Sequence, residues 1–210
     1  MSDAPSEPSV QPPIAVTMGD ASGVGPEILL RRAAEGELLG TDVVIVGDAA
    51  VLRHGCALLG LDPAPPIEVV GEPAGGTHGA LSVLDQDLLT VSDHRPGQLD
   101  GPSGAAARAY VERATHEALA GRVAAVVTMP MNKEATRLTD PHFVGHTELI
   151  AGLCGADRVT MMLTNGSLAV THVSTHCSLR EAIDRYRQVR PDGLSQGERQ
   201  RVARELGTVL

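Results

Sequence analysis

The chain has 210 residues, 42% of them hydrophobic, which is enough for one ordinary globular domain with a sizeable core. Aromatic residues make up 1% (Phe143, Tyr110 and Tyr186, with no Trp), so the core must be built from Leu, Val, Ile, Ala and Met, and a base-stacking platform for single-stranded nucleic acid is not expected. The formal charge of −9 argues further against a nucleic-acid or membrane-surface binder, while leaving room for a local basic pocket that takes a small phosphorylated substrate.

The opening "MSDAPSEPSVQPP" is polar and proline-rich and lacks the apolar stretch of a signal peptide. It reads as a disordered leader over residues 1–12. Ile14 to Met18 is a short apolar run typical of a buried strand. "GDASGVGPE" follows as a glycine loop, with Pro26 and Glu27 suited to the first turn of a helix that ends near Ala34. Asp42 to Asp48 reads as a second buried strand, and "AAVLRHGCALLGL" as a helix stopping at Gly60. Strand, helix, strand, helix implies βαβ units and a parallel sheet.

Pro63 to Gly101 is rich in Gly and Pro, with "IEVV" as its clearest strand-like piece. Ser103 is the expected N-cap of an alanine-rich helix ending near Gly121, and Val123 to Thr128 is another buried strand. "MPMNKEA" leaves that strand and starts a helix. "RVTMML" and "LAVTHVST" read as two strands joined by an Asn165-Gly166 turn. After Arg180 the chain turns polar and arginine-rich, with a helix expected up to Pro191 and a second beyond it. No apolar run is long enough to span a bilayer, and Cys56, Cys154 and Cys177 are too widely spaced for a disulfide framework or a cysteine zinc site. Reduced thiols in a cytoplasm fit that usage.

Four stretches carry candidate chemistry. In "TMGDASGVGPE" a glycine loop can bring backbone N–H groups to an anion, or can simply pack a helix against a strand. It is neither a Walker A loop nor a GxGxxG fingerprint. In "TMPMNKEA", Lys133 lies beyond a strand's C-terminal end, where open α/β sheets bind ligands, although spacing alone favours a solvated lysine in a helix's first turn. In "GHTE", His146 and Thr147 could together hydrogen-bond a carboxylate or hydroxyl; on residue types alone, an N-capping Thr147 and a surface His146 fit better. In "HVSTH", His172 and His176 stand four apart in a strand-like run, roughly 13 Å, too far to chelate one ion together. His176 lies past the strand end and His172 within it, where a structural histidine is expected.

Taken in order, "VTMGDASGVGPEI", "PMNKEA", "GHTELIA", "MML" and "STHCSLREA" resemble the 4-hydroxythreonine-4-phosphate dehydrogenase family, over about Ile14 to Ala182. The resemblance implies an α/β/α fold with a largely parallel sheet, like isocitrate and isopropylmalate dehydrogenases, with two subdomains around a cleft. It implies a cytoplasmic homodimer that uses NAD and a divalent metal (Zn, Mg or Co) to oxidise the 3-hydroxyl of 4-phosphohydroxy-L-threonine, with decarboxylation of the β-keto acid, as in pyridoxal phosphate biosynthesis. By motif position, His146 and Thr147 would contact the small phosphorylated hydroxy acid, Lys133 would neighbour it, and His176 would ligate the metal.

Two departures bear on the substrate. "DASGV" stands where members commonly read Asp-Pro-Ala-Gly-Ile, a variation that also resembles the sister dehydrogenases of 4-phospho-D-threonate or 4-phospho-D-erythronate, and Met129 stands where members usually have glycine. Members also continue past this length, with Asn-Pro-His-Ala-Gly-Glu and Tyr-His-Asp segments that supply two further metal-binding histidines. Neither occurs here. The expectation is therefore a partial dehydrogenase domain over residues 13–180, lacking its C-terminal part, with an atypical polar helical tail over 181–210. An inactive remnant that binds a ligand or a subunit is the competing reading from another class.

Overall fold

The computed structural model describes residues 11–40, 42–156, 159–171 and 177–189, with the side chains of the last segment described as far as Asp184. It divides into two compact units, Met1–Asp157 and Arg158–Leu210.

The first unit is built on a five-stranded, wholly parallel sheet. The chain forms β1 (Ile14–Thr17), α1 (Gly25–Ala34), β2 (Val43–Gly47), α2 (Ala49–Leu59), β3 (Ile67–Val69), β4 (Leu81–Asp85), a short 3-10 turn at Val91–Asp93, α3 (Gly101–Leu119) and β5 (Ala125–Thr128). Two further helices, α4 (Lys133–Arg137) and α5 (His146–Leu153), close the unit. The strand order is β3-β4-β2-β1-β5. From β1 the chain moves one way to β2, β4 and β3, and only β5 lies on β1's other side. Right-handed crossovers then set α3 on the face opposite α1 and α2. The order reverses at β1, which creates a switch-point crevice beyond the C-terminal ends of β1 and β5.

The strands form where apolar runs are buried from both faces, as parallel sheets require. Val44, Ile45 and Val46 are wholly buried, and Leu29, Leu30, Val51, Leu52 and Tyr110 of the surrounding helices pack into the same core. Each such side chain contributes roughly 1.5–3 kcal/mol on burial. Gly60, at φ 61, ends α2 in the left-handed conformation that glycine tolerates. Gly104 brings α3 against α4 so closely that an added Cβ would overlap the backbone of Ala135 and Thr136.

Several boundaries differ from the sequence reading. The N-cap of α3 is Asp100, whose carboxylate accepts from the Ser103 N–H and Oγ–H, both at 3.0 Å. Ser103 is thus inside the helix, because Pro102 occupies the first turn and moves the start forward. β4 is a central strand that the Gly- and Pro-rich stretch had concealed.

In the second unit, β6 (Met162–Thr164) and β7 (Ala169–Thr171) form an antiparallel hairpin. Its turn centres one residue later than expected: Gly166 takes φ 88, and the Asn165 side chain accepts from Leu168 N–H at 3.1 Å. Helix α6 (Leu179–Val189) opens on a capping box. Glu181 accepts from Ser178 N–H at 3.1 Å, and Ser178 Oγ accepts from Glu181 N–H at 3.3 Å. The second expected tail helix lies outside the described residues.

Candidate active site at the switch-point crevice

The crevice encloses about 540 Å³ between the β1–α1 loop (Asp20, Ser22, Gly23, Val24), the Gly97–Leu99 strip and Pro130 to Asn132, with Glu134 at its edge. The loop after β1 folds onto itself and onto its neighbours. Asp20 is 3% exposed, its Oδ1 accepts the Ser22 N–H at 2.9 Å, and its own N–H donates to Pro130 O at 3.0 Å. Burial pushes the Asp20 carboxyl above the usual carboxylate range, the Ser22 N–H pulls it back, and Asp100 adds to the rise. Gly19, at φ 75, turns the chain where a side chain would strike Pro130 O. Ser22 Oγ sits 3.0 Å from Ser103 Oγ, so the serine of "DASGV" is joined to the start of α3.

This geometry selects between the two readings of the glycine loop. The loop's own carboxylate takes the Ser22 N–H, and Gly25 lies directly against Met18 O. The glycines pack helix on strand. They also admit Met129: Cβ positions at Gly19 and Gly25 would lie 3.0 and 3.3 Å from Met129 Cβ. The Met129 N–H donates to Thr17 Oγ1 at 3.3 Å.

Beyond β5, Asn132 caps α4, its Oδ1 accepting from the N–H groups of Glu134 at 2.9 Å and Ala135 at 3.2 Å. Lys133 is thereby placed at the first helical position with its side chain exposed. Arg137 Nε donates to Phe143 O at 2.8 Å and ties α4 to the segment that leads into α5. The N-cap of α5 is Gly145, not Thr147, and no side chain caps the helix. His146 and Thr147 are both half-buried in its first turn. The Cβ position of Gly145 lies 3.4 Å from Lys133 Nζ and 3.2 Å from Glu148 Oε2, so Lys133 meets the turn that carries His146 and Thr147. His146 Nε2 is buried without a hydrogen-bond partner, and burial, then the Lys133 ammonium, hold the imidazole below its ordinary pKa.

Three of the four site residues read from the sequence are therefore neighbours. His176, and with it His172, lies outside the described residues. Among the described residues no group of three or more His, Cys, Asp or Glu could hold a metal ion.

Two buried polar groups were not anticipated. Asp48, fully buried at the end of β2, accepts the Tyr110 hydroxyl and the Leu88 N–H, the latter at 2.8 Å. Burial, the Asp48 charge and their hydrogen bond raise the Tyr110 hydroxyl far above its ordinary pKa. His54 and His94 share a contact of 3.1 Å between their Nδ1 atoms, and burial, then His54, lower the His94 pKa. The aspartate after "VVIVG" was a legible signal for the first; nothing in the sequence joins the two histidines.

Elements and crevice together define a parallel α/β protein of the type that places ligands at a topological switch point. The family described as "Pyridoxal phosphate biosynthetic protein PdxA" matches residues 40–195, and the chain belongs to that family. The D-threonate 4-phosphate dehydrogenase of Pectobacterium atrosepticum is 38% identical over 175 residues, covering 81% of this chain and 53% of its own. The 4-hydroxythreonine-4-phosphate dehydrogenase of Beijerinckia indica is likewise 38% identical over 175 residues, covering 81% and 50%. Among solved structures, 4-hydroxythreonine-4-phosphate dehydrogenase from Klebsiella pneumoniae matches with TM-score 0.72 at 39% identity, covering 87% of this chain and 54% of that one. A terephthalate 1,2-cis-dihydrodiol dehydrogenase from Burkholderia xenovorans matches with TM-score 0.63 at 27% identity, covering 92% and 55%. The chain spans about half the length of the curated relatives it matches.

Proposed function

We propose that this chain provides the acid-binding part of a dehydrogenase that oxidises the 3-hydroxyl of a small phosphorylated hydroxy acid. The observation that carries this reading is the convergence of Lys133 on the uncapped first turn of α5, beside His146 Nε2, which is buried and lacks a partner. An ammonium and the free N–H groups of a helix start suit an anionic group. A neutral imidazole and the Thr147 hydroxyl can hydrogen-bond the substrate's hydroxyls. The first substrate reading is 4-phosphohydroxy-L-threonine, with decarboxylation of the β-keto acid. The second is D-threonate 4-phosphate, named for relatives from Pectobacterium atrosepticum, Salmonella typhimurium and Bordetella bronchiseptica at 36–38% identity.

NAD, a divalent metal with His176 among its ligands, a homodimer and a cytoplasmic setting belong to the same proposal and rest on the family resemblance. Among the described residues no group of three or more His, Cys, Asp or Glu could hold a metal ion, and the role proposed for them is to bind and orient the acid. Among the described residues no helix is long and apolar enough to cross a membrane.

Calorimetric titration of the chain with each acid tests the reading. We expect saturable binding of one acid, weakened at least tenfold in Thr147→Ala and Lys133→Met. Absence of binding for both acids would overturn it. NADH formation with each acid, NAD and metal then ranks the two substrates.

A further inference from the structure

We propose that Lys133 is a positioning residue for His146: its ammonium, set against Gly145 and the first turn of α5, keeps His146 a neutral hydrogen-bonding group for the substrate. This rests on the acid-binding reading above and assigns Lys133 a task besides touching the acid.

Gly145 has φ 168, extended backbone that any residue adopts, so conformation does not demand a glycine there. A Cβ there would stand 3.4 Å from both Cε and Nζ of Lys133, ordinary contact distance, and 3.2 Å from Glu148 Oε2. The end of the lysine and a carboxylate thus lie against the buried Gly145, at the start of α5.

Three effects act on His146 in the same direction. The N-terminus of α5 carries the positive end of the helix dipole, which disfavours an imidazolium. Lys133 adds a like charge, and burial removes the water that would solvate one. On α5, the Glu148 carboxylate acts in the opposite sense. Of the other charged groups on the packed elements, Glu134 of α4 is exposed, and two arginines have partners of their own. Arg137 of α4 donates to Phe143 O, and Arg108 of α3 pairs with Glu112 and Asp140.

The consequence is chemical. An imidazolium donates from both nitrogens and accepts nothing, whereas a neutral imidazole keeps one acceptor. With Lys133 beside it, the site separates two tasks. The positive charge that meets an anion sits on the lysine, and the group that can accept a hydrogen bond from a substrate hydroxyl sits on the histidine.

The test is an NMR titration of the His146 ring, assigned by its loss in His146→Gln, in the chain as it stands. In Lys133→Met the His146 pKa should rise toward its ordinary value, burial still holding it down. In Lys133→Arg it should stay near the native value. Glu148→Gln should lower it. Lys133 is exposed, so its replacement leaves the fold in place. An unchanged His146 titration in Lys133→Met would overturn the proposal. The measurement needs no substrate or cofactor. If neither acid binds and His146 still moves, the acid-binding reading fails and the positioning stands; if an acid binds and His146 does not move, the reverse holds.

Discussion

At the centre of the sheet, Val44, Ile45 and Val46 of β2 are wholly buried, and Asp48 just beyond them is held by Tyr110 and Leu88. At its margin, Val127 of β5 is 45% exposed, and Lys133 after it stands in solvent. The two regions belong to one parallel sheet, yet the first is fixed by packing on every side and the second by caps and a few hydrogen bonds. The difference separates stability from chemistry. Substitutions at the centre should be read in unfolding experiments, and substitutions at the margin in binding experiments.

The comparison can be broken or sharpened in steps. The largest effect is expected from Ile45→Ala, which leaves a cavity in the densest layer and should cost about 2–5 kcal/mol in urea unfolding. A loss well below that range would show that the centre is not tightly packed. Tyr110→Phe removes the hydroxyl that satisfies a buried carboxylate and should cost about 1–3 kcal/mol. Gly104→Ala forces α3 away from α4 and should cost roughly 1–3 kcal/mol, while also disturbing the Lys133 turn. It is the one central change expected to weaken acid binding as well.

A smaller effect comes from pH. His94 and His146 are held below the ordinary imidazole value of 6.5 in the folded state, so the unfolded chain binds protons first as pH falls. Their share of stability is therefore intact above that value and declines as pH drops through the window down to their folded pKa values. Acid unfolding of His94→Gln should show a shallower decline. The smallest effect on stability, within about 0.5 kcal/mol, is expected for Lys133→Met and Thr147→Ala, the two changes expected to cost most in binding. A large loss of stability in either would erase the distinction between centre and margin.

The same contrast governs what could be read from the sequence. β1 and β2 were legible because strands buried on both faces appear as unbroken apolar runs, and α1 and α2 because glycine or proline marks their ends. β5 carries the same kind of run and was found by it, but it is an edge strand with Ala125 and Val127 exposed, not the buried strand its run implied. β4 was not legible, since Ser82 interrupts it and Gly and Pro surround it. The cap of α3 was misplaced because Ser103 and Asp100 are both good caps and only the fold shows which residue lies outside the helix. At the site, the residues were legible as motif positions and their arrangement was not. Lys133 meets the Gly145 turn through the packing of α3, α4 and α5, which no local pattern encodes. The β1–α1 loop left two readings open in the sequence, and the close approach of Gly19 to Pro130 O and of Gly25 to Met18 O supports the packing one.

The account's central claim is that the turn from Gly145 to Glu148, with Lys133 against it, receives the phosphorylated acid. The most direct measurement is an NMR titration of the isotope-labelled chain with D-threonate 4-phosphate and with 4-phosphohydroxy-L-threonine. The account predicts saturable shifts of the His146 and Thr147 amide signals with one of the acids, lost in Lys133→Met. Saturable binding that leaves those signals in place and moves only others would contradict it.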